Sequence, residues 1–171
     1  MDKQRTNIAL TGFMATGKTS VAQALANKLG KKYVSTDDLI VKKANKSIPK
    51  IFENDGEIKF RELEIEIVKT VSEMNDIVVD CGGGIVLNWI NVTRLKEKGL
   101  IILLTASVER ILERSSLSTE RPLLNVQNTK EKIVELLKFR EPFYERAADV
   151  IIDTTNLSID DIVTKILESI K

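Results

Sequence analysis

The chain has 171 residues, of which 43% are hydrophobic and 30% are charged. This length and composition predict a single globular domain spanning residues 1–171, because such a chain can bury a core of its own. The net charge of +1 excludes a strong overall field for nucleic acid or acidic membranes. One cysteine and no histidine exclude an internal disulfide and make a transition-metal site unexpected.

Apolar residues alternate between strand-like runs and helical patterns along the chain. Strands are predicted at 7–10, 33–35, 77–80, 100–104 and 150–152, and helices at 18–29, 38–45, 48–54, 57–73, 89–98, 107–114, 129–146 and 158–170. This alternation predicts an α/β fold with a parallel sheet covered on both faces. No apolar run approaches the roughly 18 residues that span a bilayer. The polar residues 1–7 lack a secretory signal pattern, so we expect a cytoplasmic protein without membrane contacts.

The first strand leads into residues 12–19, GFMATGKT, which match the phosphate-loop pattern G-x-x-x-x-G-K-[ST]. The glycines allow backbone N–H groups to surround a phosphate, Lys18 supplies positive charge, and the Thr19 hydroxyl can ligate Mg²⁺. The helix that follows presents its N-terminus to the same anion. A glycine-rich turn without a ligand is the alternative, but the strand before and the helix after favour a nucleotide phosphate site.

Carboxylates follow the second and third predicted strands, at the edge where ligands bind in parallel α/β sheets. Asp37 is a candidate base for a substrate hydroxyl, whereas Asp38 fits the N-cap of the helix that begins there. Asp80 ends the third strand and is a candidate for Mg²⁺. Glycines 82–84 indicate close backbone approach to a ligand, with a flexible turn as the alternative.

Arginines occur in two further segments. Residues 115–128 lack a regular pattern and contain Arg121, which predicts a lid; an exposed variable loop is the alternative. Arg140 lies in the long helix at 129–146. A guanidinium pairs with phosphate or carboxylate through two parallel hydrogen bonds, so both arginines are candidates for anion binding.

The helix at 57–73 begins with many charged residues. Its apolar stripe, Phe60, Leu63, Ile67 and Val68, is expected to face the core. The charges that precede and interrupt this stripe also fit a solvated helix face. The charged residues are therefore weak candidates when the helix is considered alone.

Together these motifs resemble those of the shikimate kinases, small P-loop kinases that phosphorylate a carboxylated polyol. The resemblance covers nearly the whole chain and rests on GFMATGKT at 12–19, TDDLI at 36–40, IFENDGEIKFRELE at 51–64, GGG at 82–84, RPLL at 121–124 and REPFY at 140–144. It implies a single-domain α/β P-loop kinase with a five-stranded parallel sheet in the order 2-3-1-4-5 flanked by helices. It also implies a substrate-binding helical segment at about 37–64, a lid at about 115–128, and a monomer.

The resemblance implies transfer of a phosphoryl group from ATP to the 3-hydroxyl of shikimate, with Mg²⁺ as cofactor. Catalytic roles would fall to Asp37, Lys18 and Arg121. ATP would be bound by Gly12, Ala15, Thr16, Gly17, Lys18, Thr19, Ser20, Arg114 and Arg121, with residues 154–156 near the adenine. Shikimate would be bound by Asp37, Arg61, Gly82, Gly83, Gly84 and Arg140, and the metal by Thr19 and, through water, Asp80.

One departure from the family pattern concerns the end of the second strand. The family usually has Asp-x-Asp there, whereas this chain has Ser35-Thr36-Asp37. Asp80 stands where the family commonly has Ser or Thr. We therefore hypothesise that Asp80 replaces, from the third strand, the charge that Ser35 does not supply; Mg²⁺ needs only one or two carboxylates nearby.

Two other functions fit part of the pattern. A small P-loop kinase acting on gluconate or a nucleoside monophosphate would share the phosphate loop. A non-catalytic ATP-binding module would share it too, although such a module would need no base at Asp37 and no arginine at 121.

Overall fold

A computed structural model describes residues 6–116 and 129–170. Within these ranges, five strands form one parallel sheet in the order β2-β3-β1-β4-β5, which confirms the predicted order. The strands are β1 Asn7–Thr11, β2 Lys32–Ser35, β3 Ile77–Asp80, β4 Gly99–Thr105 and β5 Val150–Asp153. The predicted Arg121 and almost all of the predicted lid at 115–128 lie outside the described residues.

Helices connect the strands at the predicted places, with ends shifted by no more than two residues. They are α1 Lys18–Leu29, α2 Thr36–Ala44, α3 Ile48–Asn54, α4 Gly56–Glu73, α5 Trp89–Lys98, α6 Val108–Ser115, α7 Thr129–Ala147 and α8 Ile159–Ser169. A short 3₁₀ turn at Ile85–Leu87 was not predicted. None of the helices in the described ranges is both long and apolar enough to cross a membrane.

Two apolar layers cover the two faces of the sheet. Side chains alternate along a strand, so neighbours such as Ala9 and Leu10, or Val78 and Val79, enter different layers. One layer includes the buried stripe of α4, and the other includes the buried faces of α1 and α8. Because both faces are covered, β1 and β3 are buried along their whole length.

The α4 stripe is buried as predicted, with Phe60, Leu63, Ile67 and Val68 in the core. Glu64 lies on the same buried face and is only 1% exposed. A buried carboxylate requires compensation by a partner. Arg61, one turn earlier on the same helix, supplies that partner.

The start of α2 differs from the prediction. Asp38 is not the N-cap: the helix begins at Thr36, and the Ser35 hydroxyl accepts a hydrogen bond from the Asp38 backbone N–H at 3.2 Å. Serine is a strong N-cap. The negative charges of Asp37 and Asp38 in the first turn interact favourably with the partial positive charge at the helix N-terminus. Strand β2 therefore passes directly into α2, which holds Asp37 at the edge of the sheet.

Candidate active site

The carboxyl ends of β1, β2 and β3 meet at one edge of the sheet, because the three strands are parallel. A cavity of about 750 Å³ opens there. It is lined by most of the sequence-predicted site residues, namely Lys18, Thr19, Asp37, Arg61, Asp80, Gly82, Gly83, Gly84 and Arg140. The site is therefore assembled from segments that are far apart in the chain.

The phosphate loop joins β1 to α1 and has a backbone that requires glycine. Gly12 has φ of 144° and lies against the Leu104 carbonyl, which a Cβ would overlap. Gly17, the N-cap of α1, has φ of 95°. The Lys18 ammonium donates a hydrogen bond to the Phe13 carbonyl at 2.8 Å, which holds the charge over the loop.

Asp80 lies between the phosphate loop and the end of β2. Its Oδ2 accepts hydrogen bonds from the Thr19 hydroxyl at 2.6 Å and from the Tyr33 hydroxyl at 3.3 Å. Ser35 is its register partner on the neighbouring strand. Burial, followed by the charge of Asp80, raises the pKa of Tyr33 to about 12. Thr19 and Asp80, the two residues predicted to hold the metal, are thus hydrogen-bonded to each other.

This donor set fits Mg²⁺ better than a metal that requires a protein cage. In the described part of the chain, no group of three or more His, Cys, Asp or Glu residues could hold a metal ion. Mg²⁺ prefers oxygen ligands and keeps several waters, with substrate phosphates completing its shell. One hydroxyl and one carboxylate beside a phosphate loop meet that requirement.

Asp37 and Glu64 approach each other over Gly82. A Cβ at Gly82 would lie 2.7 Å from Asp37 Oδ1 and 3.3 Å from Glu64 Oε1. Only glycine leaves room for both carboxylates at the end of β3. Burial raises the pKa of the Glu64 carboxyl, with Arg61 opposing the shift and the charge of Asp37 adding to it.

Arg61 is held on the cavity wall by two carboxylates of its own helix. It donates to Glu64 at 2.5 Å and to Glu57 at 3.1 Å. A Cβ at Gly84 would overlap the Arg61 guanidinium. The third glycine of the triplet therefore allows the Arg61 guanidinium to approach the backbone closely.

Arg140 reaches the cavity from α7 and is only 6% exposed. Its guanidinium lies 5.8 Å from the centre of the Phe13 ring. Within the described ranges, its buried Nε has no hydrogen-bond partner, an arrangement that costs free energy unless an acceptor binds. One turn further along α7, the Tyr144 hydroxyl donates to the Gly83 carbonyl at 2.5 Å and holds the glycine turn.

A second cavity of about 350 Å³ lies on the other side of the phosphate loop and is lined by residues including Ala15, Ser20 and Arg114. Arg114 donates to the Ala15 carbonyl at 3.2 Å and to the Thr154 carbonyl at 3.4 Å. Thr154 is fully buried, and its hydroxyl donates to the Thr16 carbonyl at 3.0 Å. Arg114 and the segment from Thr154 are thus adjacent, as the sequence-based assignment of the adenine site requires.

Three residues of the site were missed by sequence reasoning. Glu64 stands four residues after Phe60 on the apolar stripe, where a charged residue signals a buried ion pair. Tyr144 stands four residues after Arg140, in the same helix motif. For Tyr33 the sequence contains no comparable signal, because its role depends on contact with the neighbouring strand.

The chain is similar in sequence to proteins of one family. The family described as Shikimate kinase matches residues 14–171. A shikimate kinase of Thermoanaerobacter pseudethanolicus is 42% identical over 95% of this chain and 95% of its own. The corresponding protein of Geobacter sulfurreducens is 46% identical over 94% of this chain and 88% of its own.

Solved structures show the same similarity. Shikimate kinase from Acinetobacter baumannii in complex with shikimate superposes with a TM-score of 0.93 at 36% identity, covering 98% of this chain and 94% of that one. The Aquifex aeolicus enzyme has a TM-score of 0.83 at 34% identity, covering 96% of this chain and 95% of that one. From this agreement of sequence and fold, the chain belongs to the shikimate kinase family.

Proposed function

We propose that this protein transfers the γ-phosphoryl group of ATP to the 3-hydroxyl of shikimate, giving shikimate 3-phosphate and ADP. The observation that carries the proposal is the cavity at the sheet edge, in which Arg61, Arg140 and Asp37 surround the triple glycine beside the phosphate loop. Two arginines suit a carboxylate, and an aspartate suits a hydroxyl. The Acinetobacter baumannii relative, solved with shikimate, supports this substrate.

The arginines would bind the shikimate carboxylate. Glu64 and Glu57 orient the Arg61 guanidinium, and Tyr144 holds the Gly83 carbonyl next to Arg140. Because these groups are already in place, little side-chain ordering remains to be done on binding.

Asp37 would orient the acceptor hydroxyl and take its proton. It projects from the first turn of α2 over Gly82 and lines the same cavity as Arg61, Arg140 and Lys18 of the phosphate loop. A base in this position converts the hydroxyl into a better nucleophile as the bond to phosphorus forms.

The phosphate side would neutralise the charge on the transferred group. Lys18 can exchange its bond to the Phe13 carbonyl for a phosphate oxygen, and Thr19 and Asp80 would hold Mg²⁺, Asp80 through water. The cation, when bound, offsets negative charge on the phosphate oxygens. We assign the same role to Arg121, which belongs to the predicted lid at 115–128, from the family motif that contains it.

A coupled ADP-release assay tests the proposal. ADP should form rapidly from ATP with shikimate, and at least 100-fold more slowly with D-gluconate, with AMP or with no acceptor. Fast release with gluconate or AMP would reassign the enzyme to another group of small P-loop kinases. No acceptor-dependent release, together with normal ATP binding, would favour a non-catalytic module.

We expect Gly84→Ala to raise the KM for shikimate by at least tenfold with a smaller effect on the KM for ATP. The added methyl would displace Arg61, whereas the φ of −101° at this position imposes no backbone strain. Gly99→Ala is the matched control, since its Cβ would meet backbone atoms at 3.0 Å at the opposite end of the sheet. Equal effects on both KM values would contradict the role given to Arg61.

We expect Arg121→Ala to lower kcat more than it weakens shikimate binding. The positive charge of an arginine beside the transferred phosphoryl group stabilises the transition state more than it stabilises bound shikimate. Removal of one such group typically costs about 10²–10³-fold in kcat. Steady-state kinetics and calorimetric titration with shikimate separate the two effects. Normal turnover would refute the assigned role.

A further inference from the structure

The Asp80 carboxylate is held by donors from two different elements. Thr19 donates from the first turn of α1, and Tyr33 donates from β2. Both hydrogen bonds end on Oδ2, and Oδ1 takes part in neither of them. Two donors on one oxygen restrict rotation of the carboxylate about its Cβ–Cγ bond. The orientation of Oδ1 is thereby restricted as well.

Tyr33 is the side chain of β2 best placed for this task. It and Ser35 lie two residues apart and therefore project to the same side of the strand. Ser35 is in register with Asp80, but its hydroxyl caps α2 by accepting from the Asp38 backbone N–H. Tyr33 extends further and reaches Asp80 Oδ2 with its hydroxyl while the ring lies against the apolar layer of α1.

Thr19 alone would be a weaker support for Asp80. Its hydroxyl has one proton, which it donates to Asp80, and its lone pairs are the groups that would ligate Mg²⁺. The Thr19–Asp80 hydrogen bond therefore depends on the same hydroxyl that would bind the metal, so it does not fix Asp80 independently of metal binding. Tyr33 is a second donor that does not itself ligate the metal, and it removes this dependence.

We propose that Tyr33 is a positioning residue for the metal site, which orients the Asp80 carboxylate for the role that it would have, through water, in holding the metal. The inference depends on the proposed function in one respect: the metal near Asp80 is taken to be the Mg²⁺ that accompanies the nucleotide. Tyr33 acts through Asp80 and needs no contact with either substrate. Loss of a direct partner of a metal ligand typically lowers metal affinity by about 10–100-fold, and because Asp80 acts through water we expect a loss at the lower end of that range.

The test replaces Tyr33 by Phe, which keeps the ring and removes the hydroxyl. Mn²⁺ serves as the probe, and its binding to the enzyme with ADP is titrated by electron paramagnetic resonance without shikimate. We expect the Kd for Mn²⁺ to rise about tenfold, with no change in the affinity for metal-free ADP. Tyr144→Phe is the matched control and should leave the Kd for Mn²⁺ unchanged, because its hydroxyl bonds to Gly83.

A double-mutant cycle with Asp80→Ala separates positioning from a general structural effect. Tyr33→Phe should add less than twofold to the Kd for Mn²⁺ once Asp80 is absent. An unchanged Kd in the single variant, or a full additional loss in the double variant, would overturn the inference. The titration needs no acceptor, so it is independent of the ADP-release assay that decides the proposed function.

Discussion

Replacing Asp37 by Asn is expected to lower kcat by about 10²–10⁴-fold, the usual contribution of a positioned general base. The amide keeps the size of the side chain and can still bond to the acceptor hydroxyl, but it cannot take the proton. The KM for shikimate should change only a few-fold, since Arg61 and Arg140 would supply most of the binding. Initial rates at saturating ATP and shikimate measure the loss.

Asp38→Asn is the matched control for this variant. Asp38 is the next residue in the first turn of α2 and is exposed. The Asp38→Asn substitution removes the same charge from the same helix end. Asp38 also lines the cavity, but the carboxylates nearest to Gly82 are those of Asp37 and Glu64. A kcat near that of the unmodified enzyme in Asp37→Asn, or equal losses in the two variants, would show that Asp37 is not the base.

Replacing Asp80 by Ala is expected to raise the Mg²⁺ concentration that gives half-maximal rate by at least tenfold. The variant removes the carboxylate that contacts the Thr19 hydroxyl, and within the described ranges no larger acidic cluster could take its place. Rates are measured against free Mg²⁺ at fixed, saturating ATP and shikimate. A thermal melt checks that the variant remains folded.

Adding Ser35→Asp to Asp80→Ala provides the decisive control. Ser35 and Asp80 are register partners on adjacent strands, so the second change restores a carboxylate one strand away. Aspartate is as good an N-cap as serine, so α2 should keep its start. We expect the double variant to recover most of the lost Mg²⁺ affinity. An unchanged Mg²⁺ titration in Asp80→Ala would instead show that the carboxylate has no part in metal binding.

The start of α2 illustrates the limit of local sequence rules. Both Ser35 and Asp38 have good capping side chains, and the sequence offers no reason to prefer one. In the structure the choice follows from where β2 ends, which pairing with β3 determines. The predicted start was therefore wrong by two residues, although the position of Asp37 at the sheet edge was right.

For the charged residues of the site, too, the sequence predicted part of the arrangement and packing decided the rest. Arg61 and Arg140 were identified from motifs, but the burial of Arg140, and of the Glu64 carboxylate that pairs with Arg61 within α4, depends on how the helices pack. A charged residue in a helix has the same local pattern whether it is solvated or buried. Packing alone distinguishes the two states.

The sequence by itself determined the alternation of strands and helices, the phosphate loop and the family motifs, because each is encoded over a few neighbouring residues. Only the tertiary structure decided that the hydroxyls of Thr19 and Tyr33 both donate to one oxygen of the Asp80 carboxylate. Thr19 and Asp80 are 61 residues apart, and their contact depends on strand register, which local patterns do not specify. The hypothesis of a relocated metal carboxylate thus came from sequence, and Tyr33, which orients it in our proposal, came from the fold.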